Sequence, residues 1–107
     1  MKIFYGGIFV KKESLVEAGI NHPIKLEYYK IINEDEMIKN NKERFGISII
    51  KTDYIEDKVN TDEKTIKYLS NDEKRIEELL KTFKENEVTP IGVEDIIKDF
   101  SQQIILI

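Results

Sequence analysis

Lys64-Thr65-Ile66-Lys67-Tyr68-Leu69-Ser70-Asn71-Asp72-Glu73-Lys74-Arg75-Ile76-Glu77-Glu78-Leu79-Leu80-Lys81-Thr82-Phe83 is the stretch in which the chain changes its period. From Lys64 to Leu69 apolar and polar residues alternate, with Ile66 and Tyr68 on one face, which is the pattern of a strand. From Ile76 onward the apolar residues fall at Ile76, Leu79, Leu80 and Phe83, which line one side of a helix. Ser70 and Glu73, at the join, have the S-x-x-E spacing of a capping box. Val88-Thr89-Pro90 then interrupts the helix, and a second stripe runs through Val93, Ile96, Ile97 and Phe100. Two short helices cannot bury such faces against each other alone, so the residues before Ser70 must supply a surface for both.

That surface reads as a sheet. Residues 2–12 form a strand flawed at Gly6-Gly7, a bulge or a bend. Ser14 to Gly19 has the makings of one helical turn, and Asn21-His22-Pro23 is a turn signal. Ile24, Leu26 and Tyr28 alternate with Lys25 and Glu27 in a half-buried strand ending near Ile32. After polar punctuation, Arg44 to Thr52 reads as a central strand, with Phe45, Ile47 and Ile49 on one face and Ile50 giving the other some apolar character. Tyr54-Ile55 and Val59 continue it or loop back. Strands first and helices afterwards predict an α+β fold: an antiparallel β-meander of about four strands followed by two C-terminal helices packed on one sheet face, in a single domain over 1–107. The other face, bearing Lys25, Glu27, Ser48 and Lys67, is expected to stay wet.

Composition excludes more than it assigns. The 107 residues are 40% hydrophobic and 36% charged, with the charges interspersed among Ile, Leu, Phe and Tyr, so a packed core rather than disorder is expected. The absence of cysteine removes disulfides and thiolate metal sites and suits a cytoplasmic location. No apolar run reaches the roughly 18–20 residues of a membrane span, and the opening Met1–Val10 lacks the basic flank and small-residue site of a signal peptide. Lysine heavily outnumbers the two arginines, Arg44 and Arg75, and isoleucine and asparagine abound, the usage of an A/T-rich, low-GC genome.

Candidate chemistry has a plainer reading at each point. His22 is the single histidine, before a proline, and reads as an exposed turn residue. Asp53, Glu56, Asp57, Asn60 and Asp62 cluster oxygen atoms but lack the register and central glycine of a calcium loop, so the segment reads as a solvated loop. Asp72-Glu73 and Glu94-Asp95 sit at helix starts, where carboxylates meet unpaired N–H groups. No phosphate-binding glycine motif occurs. Lys39-Asn40-Asn41-Lys42-Glu43-Arg44 is a local basic run, but a net charge of −4 and pI of about 5.1 make nucleic acid an improbable partner. No cofactor, metal or catalytic residue is assigned.

Two features point to protein contact instead. Tyr28 and Tyr29 are adjacent in a strand and must face opposite ways, so if Tyr28 is buried, Tyr29 and Ile31 join Ile50 on the uncovered face. The tail Ile104-Ile105-Leu106-Ile107 either docks on its own core or pairs with another chain.

Tyr28-x-x-Ile31-Ile32, Phe45-Gly46-Ile47, Ile66-x-x-Leu69-Ser70, Glu77-Glu78-Leu79-Leu80, Val88-Thr89-Pro90-Ile91 and Asp95-Ile96-Ile97 together resemble a family of small proteins of unknown function from clostridia and their relatives. The resemblance covers residues 24–32 and 45–100, leaving out the first twenty residues and 33–42. It implies no activity. The expected function is that of a small, soluble, non-enzymatic protein-binding domain, a regulator, adaptor or inhibitor, with homodimerisation through a sheet edge or the tail as a further possibility. Two alternatives come from other classes. One is an acidic mobile-element inhibitor whose Glu34-Asp35-Glu36 and Asp53 to Asp62 imitate phosphate charge; the other is a small-molecule binder or carboxylate-based enzyme.

Overall fold

A computed structural model describes residues 1–10, 22–34 and 43–98. The segment from Ser14 to Gly19, the basic run at Lys39 to Lys42, Phe100 and the tail Ile104 to Ile107 lie outside the described residues. Four antiparallel strands form one sheet in the order of the chain: β1 (Lys2–Val10), β2 (Ile24–Ile32), β3 (Phe45–Ile55) and β4 (Lys58–Ser70). Helix α1 (Glu73–Glu85) follows, then a 3-10 turn (Pro90–Gly92) leading into helical residues 93–98, here α2. Both helices pack on one sheet face, so the architecture is the expected α+β meander with two C-terminal helices.

The core forms where the two periods meet. Ile24, Leu26 and Tyr28 of β2 and Ile47 and Ile49 of β3 point at the helices, and α1 returns Ile76, Leu79, Leu80 and Phe83. Val88 and Val93 close the end of the layer, with Ile96 and Ile97 packed against it. Tyr28, fully buried, donates its hydroxyl to the Val88 carbonyl at 2.9 Å, so the residue before the second helix is tied to the sheet. Among the lysines on this face, Lys30 is tied to α1: its Nζ reaches Glu73 at 3.0 Å and Glu77 at 3.1 Å on the first turns of the helix. Burial penalises its charge, and the hydrogen bonds it donates to the two glutamates outweigh that penalty, so its pKa is raised.

Helix α1 starts and stops differently from the sequence expectation. The N-cap is Asp72, whose side chain accepts the Lys74 N–H, while Ser70 ends β4 and accepts the Asp72 N–H at 3.0 Å. The capping-box spacing at Ser70 and Glu73 is therefore a strand-to-helix turn placed ahead of the cap. At the other end Val88 N–H reaches the Phe83 carbonyl and Glu87 N–H the Lys84 carbonyl, a Schellman motif. Its left-handed position is held by Glu87, at φ 52°, where glycine is usual.

The last two strands are longer than expected. Tyr54, Ile55 and Val59 belong to a continuous β3–β4 hairpin closed by Glu56 and Asp57, with Glu56 at φ 50°. The acidic segment Asp53 to Asp62 is thus hairpin rather than a solvated loop. Its outer part is exposed on both faces and therefore shows no apolar alternation, and its turn lacks the Asn-Gly or Gly-Gly signature. Pairing is irregular between Phe45 and Ile47, opposite Ser70 and Ile66, which separates Ile66 from Tyr68: Ile66 and Leu69 pack against the core, and Tyr68 is not among the core residues. Gly46, buried at this irregularity, lies so close to the carbonyl oxygens of Ile66 and Lys67 that a Cβ would overlap them. Beside it, Asn33 is 5% exposed and donates from Nδ2 to the carbonyls of Lys67 (2.7 Å), Arg44 (3.1 Å) and Glu43 (3.3 Å), joining the ends of β2, β3 and β4. The expected flaw in β1 is a bulge between Phe4 and Gly6, with Tyr5 the extra residue.

Candidate functional site

Register alone decides what is displayed by the sheet face that the described residues leave uncovered. Paired residues share a face, so Lys2, Phe4 and Phe9 of β1 stand with Lys25, Glu27, Tyr29 and Ile31 of β2. Across β3 and β4 the same face carries Ser48, Ile50, Thr52 and Tyr54, then Val59, Thr61, Glu63 and Thr65. The wet face expected from the sequence is only partly wet, because Ser48 is 0% exposed.

What covers Ser48 is a polar cluster at the centre of the face. Glu63 Oε1 accepts hydrogen bonds from Lys2 Nζ at 2.9 Å, Ser48 Oγ at 2.9 Å and Thr65 Oγ1 at 3.2 Å. The Lys2 hydrogen bond, followed by that of Ser48, holds the Glu63 carboxyl below the usual range. Lys2 therefore links the first strand to the last across the width of the sheet. Its Nζ also lies 4.6 Å from the centre of the Tyr29 ring, and Phe4 meets that ring edge-on at 5.5 Å. The Tyr29 hydroxyl donates to Glu27 Oε2 at 3.0 Å; burial first, then that bond and the charges of Glu27 and Glu63, raises its pKa.

The expected contact residues are distributed as follows. Tyr29 is on the uncovered face, but its hydroxyl is bonded to Glu27 and its ring meets Phe4 edge-on. Ile31 is on the same face and only 8% exposed, so it offers little surface. Ile50 is half-buried between Glu27 and Glu63 in the ladder. The exposed apolar surface lies elsewhere: Phe9 is 65% exposed and stacks on Tyr54 at 6.2 Å, and Val59, 62% exposed, is the ladder partner of Tyr54. Lys25 Nζ sits 5.9 Å from the Phe9 ring centre, at the edge of this patch. Phe9 stands between the inward Ile8 and Val10, and the argument that separates Tyr28 from Tyr29 places it outside.

His22 is not a free turn residue. Its Nε2 and Asp53 Oδ1 share a hydrogen bond of 2.7 Å, and Lys51 Nζ lies 3.7 Å from Asp53 Oδ2. Asp53, 8% exposed, pairs in register with Ile24, so the bond pins the turn before β2 to the end of β3. The same bond fixes the orientation of the imidazole. Among the described residues no group of three or more His, Cys, Asp or Glu side chains converges on a metal position. A shallow, open groove runs between Tyr5 and the outer side of α1, lined by Lys74, Glu77, Glu78 and Lys81. Among the described residues no helix is long and apolar enough to cross a membrane.

Residues 8–103 match a family of unknown function, DUF6514, and the chain belongs to that family. The match runs through residues 33–42 and back to residue 8, beyond the positions that carry the resemblance read from the sequence. Neither the curated proteins nor the solved structures gave a match.

Proposed function

We propose that this domain performs no chemistry of its own and binds a partner protein in a low-GC Gram-positive host, as a regulator, adaptor or inhibitor, through the sheet face turned away from the helices. The observation that carries the reading is the patch Phe9–Tyr54–Val59, in which the strongly exposed Phe9 stacks on Tyr54 and the strongly exposed Val59 is the ladder partner of Tyr54. A flat aromatic and aliphatic patch rimmed by Lys25 and polar threonines has the composition of an interface centre. The alternative acidic inhibitor finds less support. Asp53 is committed to His22 and Lys51, and Glu63 to Lys2, which leaves less free charge to imitate phosphate.

The test is affinity capture from a lysate of such a host at low and high salt, comparing the native chain with a Phe9→Ser/Val59→Ser variant. Binding through the apolar patch gives a partner that survives high salt and is lost with the double substitution. A partner released by salt and indifferent to the substitution overturns the proposal in favour of the acidic inhibitor.

A further inference from the structure

Among the described residues β1 and β4 are the edges of the sheet, and they are built differently. β4 carries Lys58, Asp62, Glu63, Lys64 and Lys67 along its length, the charged protection normal for an exposed edge. β1 has a single charge, Lys2, at one end. Five of the eight large apolar side chains left exposed among the described residues are Met1, Ile3, Phe4, Tyr5 and Phe9, all on or beside this strand.

The direction of the free backbone groups on β1 follows from one pair. Met1 and Ile32 exchange both of their N–H···O bonds, each at 2.7 Å, so Met1 faces β2. Bonded and unbonded pairs alternate in an antiparallel ladder. Ile3 therefore also faces β2, while Lys2 and Phe4 turn their N–H and C=O groups away from the sheet. The bulge at Tyr5 shifts the phase, so Gly6, Ile8 and Val10 face inward and Gly7 and Phe9 outward. The outward residues are Lys2, Phe4, Gly7 and Phe9, and the intervals between them read the same from either end.

From this palindromic spacing we infer that the β1 edge pairs with the β1 edge of a second copy of the chain, antiparallel, about a two-fold axis near Tyr5 and Gly6. In this register Lys2 lies opposite Phe9 of the second copy and Phe4 opposite its Gly7, and all four outward residues find outward partners. The neighbouring symmetric registers leave outward groups facing inward ones, because the bulge breaks their phase. Charge agrees with the choice. The two Lys2 residues fall at opposite ends of the ladder, so the pairing sets no like charges of β1 against each other. Phe4 covers the bare backbone of the opposing Gly7. The outer side of α1, which the axis brings toward its own copy, carries both signs in Lys74, Glu77, Glu78 and Lys81 and opposes no uniform charge to itself. The product is a continuous sheet of two meanders. This inference does not rest on the face-binding reading above: Phe9 belongs to both surfaces, but Val59 bears on the face patch alone and Phe4 on the edge alone.

The chain has no cysteine, which makes the register directly testable. In a Lys2→Cys/Phe9→Cys variant the two introduced thiols are about 23 Å apart within one strand, too far to bridge. They are adjacent only across the two-fold, so mild oxidation gives a covalent dimer, while Lys2→Cys alone and Phe9→Cys alone give none. Light scattering of the native chain at about 100 µM reads twice 12.6 kDa, and Phe4→Lys lowers the association at least about tenfold with unchanged circular dichroism. Val59→Lys, on the opposite edge, leaves the dimer intact. A monomeric native chain overturns the inference, as does a dimer that the double-cysteine variant fails to trap or that either single variant traps equally well.

Discussion

Replacing Tyr28 by phenylalanine removes one oxygen atom from the centre of the molecule and separates the two tyrosines at the middle of β2. The Tyr28 hydroxyl donates to the Val88 carbonyl at 2.9 Å, and Tyr28 and Val88 are 0% and 7% exposed, so the substitution leaves that carbonyl buried without this donor. A buried acceptor stripped of its partner costs about 1–3 kcal/mol. With an unfolding entropy of about 2.1 cal/mol/K per residue, a loss of 1.5 kcal/mol lowers the midpoint of a chain this size by roughly 7 °C. The neighbouring Tyr29→Phe removes only a half-exposed bond to Glu27 and should stay within about 0.5 kcal/mol of the native protein. Paired thermal and urea unfolding of the two variants, followed by circular dichroism, measures the difference. There is also a pH signature. Burial, with the charge of Glu87 adding to it, raises the Tyr28 pKa, so the folded state holds the phenolic proton more tightly than the unfolded chain. That contribution is complete below the ordinary tyrosine pKa near 10 and is lost as pH rises beyond it, and Tyr28→Phe should abolish this alkaline loss. Equal effects from the two substitutions, or a Tyr28→Phe protein within about 0.5 kcal/mol of native, would refute the assignment of Tyr28 as the tie between sheet and second helix.

Four further outcomes are expected. Glu87→Gly should stabilise the chain by about 1 kcal/mol in urea unfolding, because the left-handed position at φ 52° then carries no Cβ penalty. Asn33→Ala should cost about 1–3 kcal/mol by the same measurement, since it removes the one side chain that bonds the Glu43, Arg44 and Lys67 carbonyls together. Glu63 has a depressed folded pKa, so its contribution is present above the ordinary glutamate pKa near 4.3 and fades as pH falls through the folded value; Glu63→Gln should flatten that part of the acid titration of stability. Asp72→Ala should lower the stability of α1 by about 1 kcal/mol, and Ser70→Ala by less, as read from the change in urea midpoint, because the cap is Asp72.

The fold was legible wherever one side of an element is buried and the other is not. The stripe at Ile76, Leu79, Leu80 and Phe83 and the alternation of Ile24, Leu26 and Tyr28 are direct records of two different periods meeting at one core. The residues around Asp53 to Asp62 left no such record, since the outer hairpin is solvated on both faces and its turn uses Glu56 in place of glycine. The helix end at Glu87 was hidden for the same reason: a charged residue occupies a position that glycine normally advertises. The candidate surface was half legible. Adjacent residues must part company in a strand, and applied to Tyr28 and Tyr29 this found the uncovered face. Burial on that face depends on neighbours from other strands, however, and composition gives no hint that Phe4 and Lys2 cover Tyr29 while Phe9 remains open.

Gly46 has a consequence for reading this family. A side chain there would collide with the backbone of β4 rather than with a movable neighbour, so position 46 works as a registration mark between the third and fourth strands. A relative that keeps glycine at the aligned position can keep the same offset between Ile66 and Ser70, and with it the point at which its chain leaves the sheet for the helices. One that carries any side chain there must have reset the offset. Its α1 would then begin at a different height above the sheet, and residues aligned with Tyr28 and Val88 would no longer be a matched pair.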